Sequence, residues 1–340
     1  MRPNFEPYPI LRNNHVQTAL NSLGPRRLML SNSAARIQAT ETQHLIDCGK
    51  DVRLLGAFNS SWLSTETGKA GVSKKLVILL HGWEGSFTSN YIISASAKLL
   101  NAGYDVFRLN FRDHGPTLHL NRELFNSTLT PEVARGILKI RVMFPRRQCF
   151  LAGYSLGGNF ALRIATDVGE KLKLSGVVAI SPTINPANTM TILEQRLSPY
   201  QRYFFTKWKR SLTTKLNYFP DLGYGEALEK CKTIKDINDI FIPNFTAFTN
   251  PADYFSAYTL STDRLSQLNI PGWIIASQDD PIIPIADLYD IKEPRTLTTE
   301  ITQRGGHCGF LEQMGTSSWA ESRMQAIFDD LSEVKHQPRA

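Results

Sequence analysis

Leu76-Val77-Ile78-Leu79-Leu80 is an unbroken apolar run, the pattern of a strand buried on both faces. Tyr104–Leu109, Gln148–Ala152, Gly176–Ile180, Gly272–Ser277 and Thr296–Ile301 continue the series, and helical patterns such as Asn90–Asn101, Pro131–Met143 and Gly158–Ala165 lie between strands. This alternation predicts parallel β-α-β units and an α/β fold. Gln43–Ser60 predicts an antiparallel strand pair ahead of the parallel sheet, and Thr65–Lys75 a polar loop. Between Pro182 and Ile270 the alternation stops, leaving helical patterns and loops without a strand. The expected organisation is an irregular N-terminal arm over residues 1–42, with a short helix near His15–Leu20. A core over 43–181 and 271–332 follows, interrupted by a cap over 182–270. The helix Ser318–Leu331 closes the core, and 333–340 form a polar tail.

One turn in this pattern carries chemistry. Gly153-Tyr154-Ser155-Leu156-Gly157 falls between the strand Gln148–Ala152 and the helical Gly158–Ala165. A G-x-S-x-G at a strand-to-helix turn is a nucleophile elbow, in which a strained serine projects its hydroxyl and glycines relieve the crowding around it. The helix that follows aims free N–H groups and its positive end at a developing oxyanion. An elbow serine needs a base and a carboxylate to orient it, in the chain order serine, acid, histidine.

Both partners follow strands, where open α/β sheets place their chemistry. Gln278-Asp279-Asp280-Pro281-Ile282-Ile283-Pro284 follows one strand, and Gly305-Gly306-His307-Cys308-Gly309-Phe310 follows the next. Asp280 is the candidate acid, preferred over Asp279 by the D-x-x-[IV]-P spacing to Ile283-Pro284. His307 is the candidate base. His114, beside Asp113 after the strand Tyr104–Leu109, is the rival base. The turn His81-Gly82-Trp83-Glu84-Gly85 after Leu76–Leu80 is the place for a second oxyanion donor, so the backbone N–H groups of Trp83 and Leu156 are the candidate oxyanion hole. His81 is expected to brace that turn.

These residues carry a family resemblance. The chain resembles the YheT-type branch of the α/β-hydrolase superfamily, which joins bacterial esterases to eukaryotic abhydrolase-domain lipases and yeast medium-chain ethyl ester synthase/esterases. The resemblance runs through Asn13-Asn14-His15-Val16-Gln17-Thr18, His81 to Ser86, Asn110 to Gly115, Gly153 to Asn159, Asp253-Tyr254-Phe255, Asp279-Asp280-Pro281 and Gly306 to Phe310. It implies an α/β-hydrolase fold, a mostly parallel central sheet flanked by helices with a helical cap insertion. It also implies carboxylic-ester chemistry on Ser155, Asp280 and His307. Asp113-His114 stands where bacterial relatives more often carry glycine, and Phe255 where tyrosine is usual.

Composition narrows the picture further. Cys48, Cys149, Cys231 and Cys308 are scattered, with no C-x-x-C pair and no metal-ligand spacing, and read as reduced thiols of a cytoplasmic protein. No signal peptide, transmembrane-length apolar span, repeat or Walker A pattern is visible. The formal charge is +7, and Arg202, Lys207, Lys209, Arg210 and Lys215 interleave with Tyr200, Tyr203, Phe204, Phe205 and Trp208. Such a segment either touches an anionic membrane surface or packs its aromatics on an acyl pocket beneath a solvated basic face. No nucleic-acid motif accompanies the charge. The expected activity is a serine hydrolase for short- to medium-chain carboxylic esters, calling for no cofactor or metal. An acyltransferase on the same residues is the alternative, and a non-catalytic ligand-binding protein a remoter one.

Overall fold

The computed structural model describes residues 5–22, 24–63, 73–195, 198–313 and 318–334. An eight-stranded sheet organises it: β1 Thr42–Asp47, β2 Arg53–Asn59, β3 Lys75–Leu80, β4 Asp105–Leu109, β5 Gln148–Tyr154, β6 Leu174–Ile180, β7 Gly272–Ser277 and β8 Leu297–Thr302. Their spatial order is β1-β2-β4-β3-β5-β6-β7-β8. β1 and β2 pair antiparallel, β2 joins β4 antiparallel, and every later pairing is parallel. The fold is α/β, as the alternation predicted.

The apolar runs of the inner strands follow from burial on both faces. Leu76, Ile78 and Leu80 of β3 enter a cluster with Val133, Ile137 and Phe160, from the helices Thr130–Met143 and Leu156–Val168. Val77 and Leu79 point the other way, into a cluster with Ile92, Leu99, Met324 and Phe328, from the helices Asn90–Asn101 and Trp319–Val334. Period-two alternation thus divides one strand between two helical layers.

Among the described residues, six α-helices lie between β6 and β7: Pro186–Leu193, Pro199–Tyr218, Gly225–Lys230, Ile234–Phe245, Pro251–Ala257 and Thr262–Leu265. Several of them start at polar side-chain caps. Asn185 and Asn250 cap helices that begin with proline, and Thr233 with Asp236 forms a reciprocal capping box.

The N-terminal segment corrects the expectation of an irregular arm. Among the described residues it holds three α-helices, Asn14–Ser22, Gly24–Met29 and Ser31–Thr40. Asn14–Ser22 is the short helix expected near His15–Leu20, and it buries the polar side chains of Gln17, Thr18 and Asn21; Gly24–Met29 and Ser31–Thr40 were not expected. Arg26 reaches Glu321 at 3.1 Å and Ser94 at 2.8 Å, both pairs buried, and so ties this segment to the last helix. Most of the polar loop expected over Thr65–Lys75, and of the tail over 333–340, lies outside the described residues.

Candidate active site

β5 leads into Ser155, which takes φ 53° and ψ −121° immediately before the helix Leu156–Val168. That positive φ is costly for serine, and the neighbouring backbone is too crowded to relax it. A Cβ on Gly153 would sit 2.1 Å from the Gly157 carbonyl oxygen, and one on Gly157 would sit 2.4 Å from that of His81. Glycine at both positions is what allows strand, serine and helix to meet this closely. The turn after β3 presses on the same point: a Cβ on Gly82 would lie 3.2 Å from the Ser155 Cβ.

The Ser155 hydroxyl lies 2.9 Å from His307 Nε2, and His307 Nδ1 lies 2.9 Å from Asp280 Oδ2. With the Nδ1 proton donated to the carboxylate, Nε2 is left to accept from the serine. Asp280 is held in turn, its Oδ1 accepting from the amides of Ile282 at 2.8 Å and Ile283 at 2.9 Å. Those amides give the D-x-x-[IV]-P spacing its physical meaning, a loop folded back on the carboxylate. Burial alone would favour the neutral imidazole of His307, but the Asp280 carboxylate reverses this and carries its pKa well above 6.5.

Asp279 has a different task. Its Oδ1 accepts from the Gly306 amide at 2.9 Å, joining the loop after β7 to the loop after β8. The N-terminal helix completes this clamp. Asn14 donates to the Asp279 carbonyl at 2.7 Å, and Thr18 Oγ1 accepts from the His307 amide at 2.9 Å. The Gln17 amide brackets Leu311, donating to its carbonyl at 3.0 Å and accepting from its N–H at 2.8 Å. These positioning residues were missed by the search for chemistry-bearing side chains. Their signal is polar residues at helical spacing, 14, 17, 18 and 21, on a face that turns out to be buried.

The other histidines take structural places. His81 accepts at Nε2 from the Phe111 amide at 3.2 Å and donates from Nδ1 to the Gly82 carbonyl at 2.8 Å, bracing the turn as expected. Burial, with the neighbouring His114, pushes its pKa well below 6.5. His114, the rival base, donates from Nδ1 to the Arg112 carbonyl at 2.7 Å, and burial pushes its pKa down to about 4. Among the described residues the Ser155 hydroxyl bonds to His307 and not to His114. The glycine departure at Asp113 also has a geometric reading: Asp113 sits at φ 59°, the region glycine enters most easily.

Above Ser155 opens a cleft continuous with solvent, about 700 Å³ with its open mouth included, bordered by Trp83, Leu156, Met190, Leu193, Phe204, Trp208 and Phe255. Trp83 and Leu156, the candidate oxyanion donors, both stand on its wall beside Ser155. Leu156 opens its helix, so its amide is among those without an intrahelical acceptor. Trp83 stacks on Phe204 with ring centroids 5.2 Å apart. Phe204 and Trp208 therefore face the cavity, whereas Phe205 packs half-buried between two apolar clusters. The basic residues among them are only partly a solvated face. Lys215 pairs with Asp113 at 2.7 Å, Lys207 donates to the Glu84 carbonyl at 2.8 Å, and Lys209 donates to the Cys231 carbonyl at 3.0 Å. The four cysteines are free and buried, and among the described residues no helix is long and apolar enough to cross a membrane.

The chain is similar to known proteins. The Escherichia coli (strain K12) protein named "Putative esterase YheT" is 24% identical over 329 residues, covering 94% of this chain and 91% of its own. "Medium-chain fatty acid ethyl ester synthase/esterase 2" of Saccharomyces cerevisiae is 24% identical over 293 residues, covering 77% of this chain and 64% of its own. Among solved structures, the Pyrococcus furiosus esterase Pf2001 superposes with a TM-score of 0.57 at 13% identity, covering 88% of this chain and 94% of its own. That last likeness is one of fold. Residues 77–316 match the model of the alpha/beta hydrolase family, from β3 through the loop that carries His307. With well over half of its length matched in this way, the chain belongs to the alpha/beta hydrolase family.

Proposed function

We propose that this protein is a serine hydrolase of carboxylic esters with short- to medium-chain acyl groups. The observation that carries the reading is the hydrogen-bonded line from Ser155 through His307 to Asp280, opening on an apolar cavity. Relatives named as esterases support the same reaction class.

In this reading Ser155 Oγ attacks the ester carbonyl carbon while its proton passes to His307 Nε2. Asp280 stabilises the imidazolium, and the amides of Trp83 and Leu156 stabilise the oxyanion. Collapse expels the alcohol, which takes the proton from His307, and leaves an acyl-Ser155. Water then attacks the acyl carbon, giving its proton to His307, and the acid departs as Ser155 recovers its proton. An alcohol in place of that water would make a new ester, the acyltransferase variant of the same cycle. The cap segment Pro199–Tyr218 serves in this scheme as the roof of the acyl pocket rather than as a membrane contact, because Phe204 and Trp208 are turned toward the cavity.

A panel of p-nitrophenyl esters from two to sixteen carbons tests the proposal. Each buried CH₂ contributes up to ~0.8 kcal/mol, so kcat/KM is expected to rise with acyl length and to fall once the pocket is full. Phe204→Ala and Trp208→Ala should flatten the rise while acetyl-ester turnover changes little. A flat wild-type profile, or one unaltered in both variants, would remove the pocket from the account.

A further inference from the structure

Trp83 and Glu84 are the two corner residues of a tight turn, closed by the Gly85 N–H donating to the Gly82 carbonyl at 3.0 Å. His81 Nδ1 donates to the same carbonyl at 2.8 Å. The Trp83 N–H belongs to that peptide unit, and in a trans peptide it points opposite to the carbonyl. It is thereby turned away from His81, and among the described residues it donates to no protein acceptor. The shape of this turn decides where that N–H is aimed.

The far corner is strained. Glu84 takes φ 55°, the left-handed region that such a turn requires at its second corner and that suits glycine. A glutamate persists there only where its surroundings hold it. The cap supplies that hold. Lys207 Nζ donates to the Glu84 carbonyl at 2.8 Å, and the Ser211 hydroxyl donates to Glu84 Oε2 at 2.7 Å. Lys207 and Ser211 stand four residues apart in the helix Pro199–Tyr218, so both reach the turn from one face. Tyr203, one helical turn earlier, steadies the ammonium through its hydroxyl at 3.2 Å and its ring at 5.1 Å. A bond donated by a charged group is of the stronger kind, and here it falls on the strained residue itself.

We propose that Lys207 and Ser211 are positioning residues for the reaction: through Glu84 they hold the turn that aims the Trp83 N–H at the oxyanion. The cap helix then has two separable duties, because Phe204 and Trp208 line the cleft while Lys207 and Ser211 set the turn. The inference rests on the ester-hydrolase reading, with Trp83 as an oxyanion donor, and adds to it the residues that keep this donor in place.

Lys207→Met keeps the bulk of the side chain and removes the donor. Its kcat on p-nitrophenyl acetate should fall about tenfold or more with KM little changed, because a misaimed donor weakens the transition state and not the bound ester. Inhibition by trifluoroacetone, which forms a tetrahedral oxyanion on the serine, should weaken by the factor that kcat/KM loses. Lys207→Arg should restore most of the activity, and Ser211→Ala should show a smaller loss of the same kind. Should Lys207→Met fail to fold, the same comparison in Ser211→Ala decides. A role in cap packing alone predicts a loss confined to longer acyl esters, with trifluoroacetone binding as tightly as in wild type. That pattern, or an unchanged kcat on the acetate, would overturn the proposal and leave the esterase reading intact. A wild-type protein that turned over no ester would bring down the esterase reading, and the proposal with it.

Discussion

Replacing Ser155 by alanine is expected to lower kcat for ester hydrolysis on the order of 10⁴-fold or more while the protein folds normally. The alanine removes the attacking oxygen and nothing that packs, because the strain at φ 53° is set by the backbone around it. His307→Ala should cost about as much, since without Nε2 the hydroxyl keeps its proton at neutral pH. The two residues act as one unit across a 2.9 Å contact, so the double variant should lose little beyond either single one. Steady-state kinetics on variants with matched thermal melts checks this. Purified Ser155→Ala hydrolysing esters near the wild-type rate would remove Ser155 from the mechanism.

Adjacent aspartates should separate just as sharply. Asp280→Asn keeps an acceptor for the Ile282 and Ile283 amides through Oδ1, but replaces the carboxylate oxygen facing His307 Nδ1. The imidazole loses the charge that stabilises its protonated form, and kcat should fall on the order of 10³–10⁴-fold. Asp279→Asn still offers an oxygen to the Gly306 amide, so its loss should stay under about tenfold. The pH profile gives a second readout. Activity needs the neutral imidazole, and Asp280 raises the His307 pKa above 6.5, so wild-type kcat/KM should fall as pH drops through that raised value. In Asp280→Asn the residual activity should persist to lower pH, because the carboxylate that holds the proton is gone. A larger loss in Asp279→Asn, or an acid limb that does not move in Asp280→Asn, would contradict the assigned roles.

What the chain discloses before folding follows from how local each signal is. The elbow is written in five adjacent residues whose glycines are demanded by contacts of 2.1 Å and 2.4 Å, so sequence and geometry agree there closely. The inner strands were legible because burial on both faces leaves only apolar residues. The choice of Asp280 over Asp279 rested on a spacing whose cause, the Ile282 and Ile283 amides folded back on Oδ1, is visible only in three dimensions.

The clamp from Asn14, Gln17 and Thr18 was not legible in those terms. Its contacts span nearly the whole chain, and its helix buries amides and a hydroxyl where periodicity arguments look for leucine. The cap stripe was half legible. Its aromatics at helical spacing announced an amphipathic helix, but which of them faced the cavity depended on helices that pack over them. Phe204 and Trp208 line it, while Phe205, between them in sequence, does not. The basic residues misled most, since Lys215 lies fully buried against Asp113 and Lys207 ties the cap to the turn after β3.

Labelling with a fluorophosphonate tests the central claim most directly, because the reagent reacts with a serine only when a neighbouring base activates it. One adduct is predicted, mapping by mass spectrometry to the peptide that contains Ser155. It should vanish in Ser155→Ala and be strongly reduced in His307→Ala. An unlabelled protein that still hydrolyses esters, or an adduct on another residue that survives in Ser155→Ala, would contradict the account.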